Sequence, residues 1–247
     1  MQIFGETDKG KIRKINQDYY TNRVISSNLG YSIVCDGMGG AEGGEIASKM
    51  AAEYIDRNLF DKLSSDLADG QLMDLLTESV KKANYEIYNF SSEHKKLSGM
   101  GTTVVSIIVK NNKIFGVNDG DTRLYKINKK TRELKQITKD HTFVQLLLES
   151  GQITKEQALT HPKKHIITRA LGVEDYIETD NFKTELKKDE IILICSDGLY
   201  NYMDEASLVK KAIDSAQIGT VRPLIDLANE NGGGDNITAV VVMGGEK

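Results

Sequence analysis

Apolar positions along this chain follow two periods. Short runs rich in valine and isoleucine, "YSIVCD" (31–36), "TTVVSIIVK" (102–110), "KIFGVND" (113–119), "EIILICSD" (190–197) and "NITAVVVMG" (236–244), stop at glycine, asparagine or aspartate, as buried strands do. Ile46, Met50, Tyr54, Ile55 and Leu59, and then Leu72, Leu76, Val80, Ala83, Ile87 and Phe90, recur instead at helical spacing. Each set predicts one helix with an apolar stripe turned to a core. Asn111-Asn112, between two of the apolar runs, suits a tight hairpin turn. Two more helical stretches, 206–216 and 221–231, precede the last strand.

The order is thus strands, two helices, strands, two helices, strand. Such runs predict an α+β layered domain with mainly antiparallel sheets, not the strict alternation of a doubly wound fold. From 140 to 172 the chain turns polar and carries "HPKKH" with three of the four histidines, which reads as a surface insertion. With no linker-like tract, 1–247 is expected to be a single domain with a flap at about 142–165.

Composition narrows the function classes. Hydrophobic residues are 39% and charged residues 28%, which excludes disorder, and no apolar run approaches the ~20 residues of a membrane span. The amino terminus, MQIFGETDKGKIRK, lacks the apolar stretch of a secretion signal. The net charge of −4, with basic residues scattered among acids, argues against nucleic acid as a partner. Cys35 and Cys195 lie inside apolar runs and read as buried, reduced thiols. A cytoplasmic monomer without membrane attachment is the expectation.

The chemistry is concentrated where apolar strands run out. Asp36-Gly37 follows "SIVC", Asp197-Gly198 follows "ILICS", and Asp235 in "NGGGDNIT" precedes "AVVV". A lone Asp-Gly is ordinarily a turn. Three carboxylates at the ends of buried strands need pairing, hydrogen bonds or a cation. The donors are all oxygen and no Cys/His set has zinc spacing, so the implied ion is Mg²⁺ or Mn²⁺. "DGMGGAEGG" is no dinucleotide loop, because Glu42 stands where the third glycine belongs; its glycines read as a tight turn letting a carbonyl approach a metal. There is no Walker loop, no G-x-S-x-G elbow and no nucleophilic cysteine placed before an arginine, which leaves a metal-activated water.

The ordered set "GKIRKINQD", "VCDGMGG", "GMGTT", "NDGDTRLY", "KDHT", "HPKKHIITRALG", "CSDGLY" and "GGGDNIT" resembles the type 2C family of metal-dependent Ser/Thr protein phosphatases, in its bacterial single-domain form. The resemblance runs from about Thr7 to Val242. It implies a central β-sandwich of two mainly antiparallel sheets flanked by helix pairs, four layers in all, with metals in a cleft at one end. It implies that Asp36 bridges two ions while Gly37 supplies a carbonyl, that Asp197 and Asp235 are terminal ligands, and that Asp121 with Asp197 holds a weaker third ion. Arg13 matches the phosphate-binding arginine, whose planar fork suits phosphate oxygens. Asp18, Asp140, His141 and Asn236 are implied to support these groups. The catalytic set is therefore Arg13, Asp36, Asp197 and Asp235, and the substrates are phosphorylated proteins opposite a cognate Ser/Thr kinase.

Two departures bear on mechanism. Many animal members have Glu-Asp where this chain has Gln17-Asp18, so any outer carboxylate role falls to Asp18. Animal members also carry a histidine, proposed as the general acid, where this chain has Met38. Protonation of the leaving group is thus unassigned, with His141 as one substitute. Two rivals are a phosphoprotein-binding pseudophosphatase, against which every aspartate ligand is present, and a dedicated partner-switching phosphatase, which usually carries a sensor domain.

Overall fold

The computed structural model describes residues 1–245. Its strands are β1 (Gln2–Asp8), β2 (Asp18–Ser26), β3 (Leu29–Met38), β4 (Gly101–Thr102), β5 (Val104–Lys110), β6 (Lys113–Asp119), β7 (Arg123–Asn128), β8 (Leu134–Gln136), β9 (Asp180–Glu185), β10 (Glu190–Cys195) and β11 (Ile237–Met243). Its helices are α1 (Gly40–Lys62), α2 (Asp69–Glu93), α3 (Phe143–Glu149), α4 (Lys155–Thr160), α5 (Asp197–Tyr200), α6 (Glu205–Ile218) and α7 (Arg222–Glu230). One sheet runs β1-β11-β10-β7-β8 and the other β2-β3-β5-β6-β9, with β4 beside β3. The strand pairs are all antiparallel, and helices cover both outer faces, as the α+β sandwich expectation requires.

The layering follows from period-two alternation within strands that are covered on both sides. In β11, Val240 and Val242 point between the sheets, where they meet Ile192, Ile194, Val105 and Ile107. Its neighbours Ala239 and Val241 point outward onto Leu224, Ile225, Val209 and Ala212 of α6 and α7. In β3, Val34 joins the layer between the sheets, whereas Ile33 and Cys35 face Ile55, Leu72, Leu76 and Ile87 of α1 and α2. Two-sided burial is why these strands read as continuous apolar runs. Asn111 and Asn112, at φ 51° and 63°, close the β5–β6 hairpin, with Lys110 opposite Lys113.

The sequence reading is amended in three places. β1, β2, β7, β8 and β9 add strands that apolar runs did not reveal, because β1, β2 and β8 are only partly buried, β7 breaks its buried Leu124, Tyr125 and Ile127 with Lys126, and β9 alternates half-buried with exposed residues at a sheet edge. Asp36-Gly37 is not a turn: β3 continues through it to Met38. A side chain at Gly37 would collide with the Gly44 carbonyl and lie 2.6 Å from that of Gln17, so the glycine is required by close packing of backbones. Asp197-Gly198 is a strand-to-helix junction opening α5, and a side chain at Gly198 would strike the Asn236 carbonyl.

Candidate active site

Antiparallel pairing gathers the distant motifs at one end of the sandwich. The end of β3 lies beside the start of β2, with Asp18 opposite Asp36, and β5 begins next to the end of β6, with Val104 opposite Asp119. In the other sheet Cys195, ending β10, faces both Ala239 of β11 and Arg123 of β7. Residues following β3, β6 and β10, or preceding β2, β7 and β11, therefore share one rim. Arg13, Asp36, Gly37, Asp121, Asp197 and Asp235 line a single cavity of about 780 Å³ there, with Asn236 in its wall.

Each acid is positioned by a neighbouring motif. The Asp36 N–H donates to Thr103 Oγ1 at 3.0 Å, and Thr102 Oγ1 donates to the Asp36 carbonyl at 2.9 Å. Thr103 in turn meets Thr122, beside Asp121, at 2.6 Å. Asp18, 5% exposed, accepts at Oδ2 from Ser196 Oγ and Thr238 Oγ1, both at 2.7 Å. Asn236 ties down the arm that carries Arg13: its Nδ2 donates to the carbonyls of Lys9 and Ile15, and its Oδ1 accepts from the Gln17 N–H. Arg13 Nη2 donates to Asp235 Oδ2 at 2.8 Å, an ion pair open to solvent.

The electrostatics of the cavity are lopsided. Burial, and then repulsion from Asp18, Asp197, Asp121 and Asp235, holds the Asp36 carboxyl well above the usual range. Asp197 is raised in the same way, by burial and then by Asp121, Asp235 and Asp18, with Arg13 opposing. Burial, followed by Asp140, pushes Asp121 up to about 6. Burial also lifts Asp18 to about 6 against the hydrogen bonds it accepts. Directly opposed like charges across two strands are unfavourable, and Asp18 Oδ1 is buried without a partner. The acids ring the cavity without closing on one point: among the described residues no three carboxylate, imidazole or thiol groups form a preassembled ligand cluster. An all-oxygen donor set with unneutralised charge fits a hard divalent cation.

The expected supporting residues divide. Asn236 lines the cavity, and Asp18 lies buried behind it, opposite Asp36 on the paired strand. Asp140 lines a neighbouring cavity that shares Asp121 and Asp197, and it is held there by Arg123, Nη2 to Oδ2 at 2.6 Å. His141 is absent from the cavity that Asp36, Asp121, Asp197 and Asp235 line. It is 6% exposed; its Nδ1 accepts the Gly120 N–H at 3.0 Å, and its Nε2 lies 3.1 Å from Asp180 Oδ2. The histidine on the cavity wall is His165, with Met38, Ile167 and Tyr202. Sequence reasoning passed over His165 because it falls in the polar insertion. The two cysteines are free and buried, and burial pushes both thiols up.

Residues 11–230 match the family described as Protein phosphatase 2C. The serine/threonine phosphatase stp of Listeria monocytogenes is 35% identical over 237 residues, spanning 96% of this chain and 93% of that protein. The crystal structure of the serine/threonine phosphatase Stp1 from Staphylococcus aureus superposes with a TM-score of 0.88 at 32% identity, covering 97% of this chain and 93% of that one. The catalytic domain of the serine/threonine protein phosphatase PstP, solved in complex with two manganese ions, superposes at 0.78 with 32% identity, covering 97% and 96%.

Proposed function

The chain belongs to the protein phosphatase 2C family, and we propose that its cavity hydrolyses phosphoserine and phosphothreonine on other proteins with the aid of divalent cations. The observation that carries this is the convergence of Arg13, Asp36, Gly37, Asp121, Asp197 and Asp235 on one open cavity. The enzyme is a protein serine/threonine phosphatase, and phosphoproteins are its substrates. Asp36, the Gly37 carbonyl, Asp197 and Asp235 would hold two core ions, Mn²⁺ or Mg²⁺, and Asp121 with Asp197 a weaker third. The two manganese ions in the PstP structure support the use of divalent cations. Bound cations would supply positive charge at the phosphoryl group and acidify the attacking water.

The chain's own residues do the rest. Arg13 holds the phosphoryl oxygens with the guanidinium that otherwise serves Asp235, and the exchange of one oxyanion for another costs little at an exposed pair. Asn236 and the Gly233 carbonyl, which accepts the Lys11 N–H at 2.7 Å, keep that arm in register with Asp235. Met38 lines the cavity and has no proton to give a leaving serine or threonine. His165, on the same wall, is the side chain placed to supply one. We assign the enzyme to opposition of a Ser/Thr kinase in the cytoplasm, as a monomer; among the described residues no helix is long and apolar enough to cross a membrane.

Phosphate release from a phosphothreonine peptide by the purified chain, with Mn²⁺ and then with EDTA, tests the reading. Release is expected only with the cation. Undiminished release after chelation would overturn it.

A further inference from the structure

A second cavity, of about 430 Å³, adjoins the catalytic one and shares Met38 and Ile167 with it as common walls. Its mouth is partly apolar: Val173 is 48% and Tyr176 61% exposed. Glu174 and Glu178 complete the rim, and Asp119 lies deeper, 1% exposed and with no partner at Oδ2. The one cation in the lining, Arg169, is already committed. Its Nη1 donates to Asp180 at 3.0 Å, its Nη2 to the Glu178 carbonyl, and its Nε stands 3.5 Å from Asp119. Asp119 is met by Arg169 and, at 3.3 Å, by His141 Nδ1, whereas no salt bridge among the described residues engages Glu174 or Glu178, so the rim carries the negative charge of this cavity. Lys81 Nζ, 5.4 Å from the Tyr176 ring, is a cation already seated against that aromatic surface.

From this combination we propose that the second cavity is a specificity subsite for a lysine or arginine side chain close in sequence to the phosphoresidue of the client. An apolar stem would lie on Ile167, Val173 and Tyr176, and the charged head would meet Glu174 and Glu178, as long basic side chains do when they bury methylenes and keep the charge at a polar rim. Each extended residue spans at most ~3.5 Å, so the shared wall at Met38 and Ile167 puts the basic position within about three residues of the phosphoresidue. The inference rests on the phosphatase reading of the first cavity.

The test is kcat/KM on phosphothreonine heptapeptides that carry Lys, Leu or Glu at each flanking position in turn, with p-nitrophenyl phosphate as a substrate too small to reach the subsite. The Lys peptide should exceed the Leu peptide about three- to tenfold at one flanking position, the effect of one or two partly exposed ion pairs. The Glu peptide should be poorest, and the preference should shrink in high salt. Glu174→Gln with Glu178→Gln should erase it and leave p-nitrophenyl phosphate turnover unchanged. Equal rates on the three peptides, a preference for Leu, or a Lys preference that survives the double substitution would each overturn the subsite. Loss of all turnover, p-nitrophenyl phosphate included, in the cation-loaded wild-type enzyme would instead refute the phosphatase reading beneath it.

Discussion

Replacing Asp121 by asparagine asks whether the cavity holds negative charge that the fold does not itself neutralise. Asp121 is 5% exposed, and Arg123, which opposes its repulsion by Asp140, is spent on Asp140. Its carboxyl is raised from 3.8 to about 6, first by burial. An acid raised on folding binds more protons folded than unfolded between those two values. Metal-free protein therefore loses stability as pH rises from about 4 through about 6, and the loss persists at neutral pH. Two units at ~1.4 kcal/mol each set an upper limit of roughly 3 kcal/mol for what the charge costs. The asparagine amide must find its own partners, so the gain expected in EDTA at pH 7.5 is about 1–3 kcal/mol, some 3–8 °C in Tm for a chain of this size. Near pH 5, where Asp121 is largely protonated, the gain should shrink. Mn²⁺ should reverse the order: a cation at 100 times its Kd stabilises by ~2.7 kcal/mol, and the variant has one ligand fewer. Scanning calorimetry in EDTA at both pH values, and then with Mn²⁺, decides it. A variant less stable than wild type in EDTA at pH 7.5, or a gain equal at the two pH values, would refute the reasoning.

Asp36→Asn and Asp235→Asn are each expected to lower turnover of a phosphopeptide by orders of magnitude with circular dichroism unchanged; near-normal turnover in either would remove the two-ion assignment. Arg13→Ala should chiefly raise KM, because a contact made equally in the ground state is uniform binding; a fall in kcat at constant KM would make Arg13 a transition-state group instead. Residues 142–165, which hold the short helices α3 and α4, should exchange amide hydrogens faster than β10 and β11 if they form a mobile flap; equal protection would contradict that. With Met38 unable to donate, the slope of rate against leaving-group pKa across aryl and alkyl phosphates should be shallow only if His165 supplies the proton, and His165→Ala should then steepen it. A shallow slope that His165→Ala leaves unchanged would take the role from His165.

What could be read from the sequence tracks what each residue is packed against. β3, β5, β6, β10 and β11 are sandwiched between other layers, so nearly every side chain is apolar and the strand announces itself. β9 lies at a sheet edge with alternating exposure, and its residues Asp180–Glu185 carry no apolar period to find. The helix faces were legible for the same reason: Leu72, Leu76, Val80, Ala83 and Ile87 are all fully buried. The tight turn read from "DGMGGAEGG" falls at Gly39 and Gly40, with φ of 117° and 76°, and not at Gly37, because glycine signals missing side-chain room as readily as left-handed backbone. Only the packing of the Gly44 and Gln17 carbonyls against it tells the two apart.

The site was visible as a set of carboxylates, but its division of labour was not, because that depends on pairings between residues far apart in sequence. "KDHT" puts His141 near Asp140 in the chain, yet antiparallel pairing of β6 with β9 brings Asp180 opposite Asn118, and Asp180 then takes the His141 ring. With Nδ1 accepting the Gly120 N–H and lying 3.3 Å from Asp119 Oδ1, the ring is engaged outside the cavity that Asp36, Asp121, Asp197 and Asp235 line. Its work there is to fix the Gly120 backbone, whose positive φ of 110° swings the chain from β6 toward Asp121. His141 thus reaches the chemistry through the placement of one carboxylate. His141→Gln, which keeps a hydrogen-bond acceptor, should preserve cation affinity better than His141→Ala does in a calorimetric titration with Mn²⁺. Equal affinity in the two variants would show that the Gly120 contact has no part in positioning Asp121.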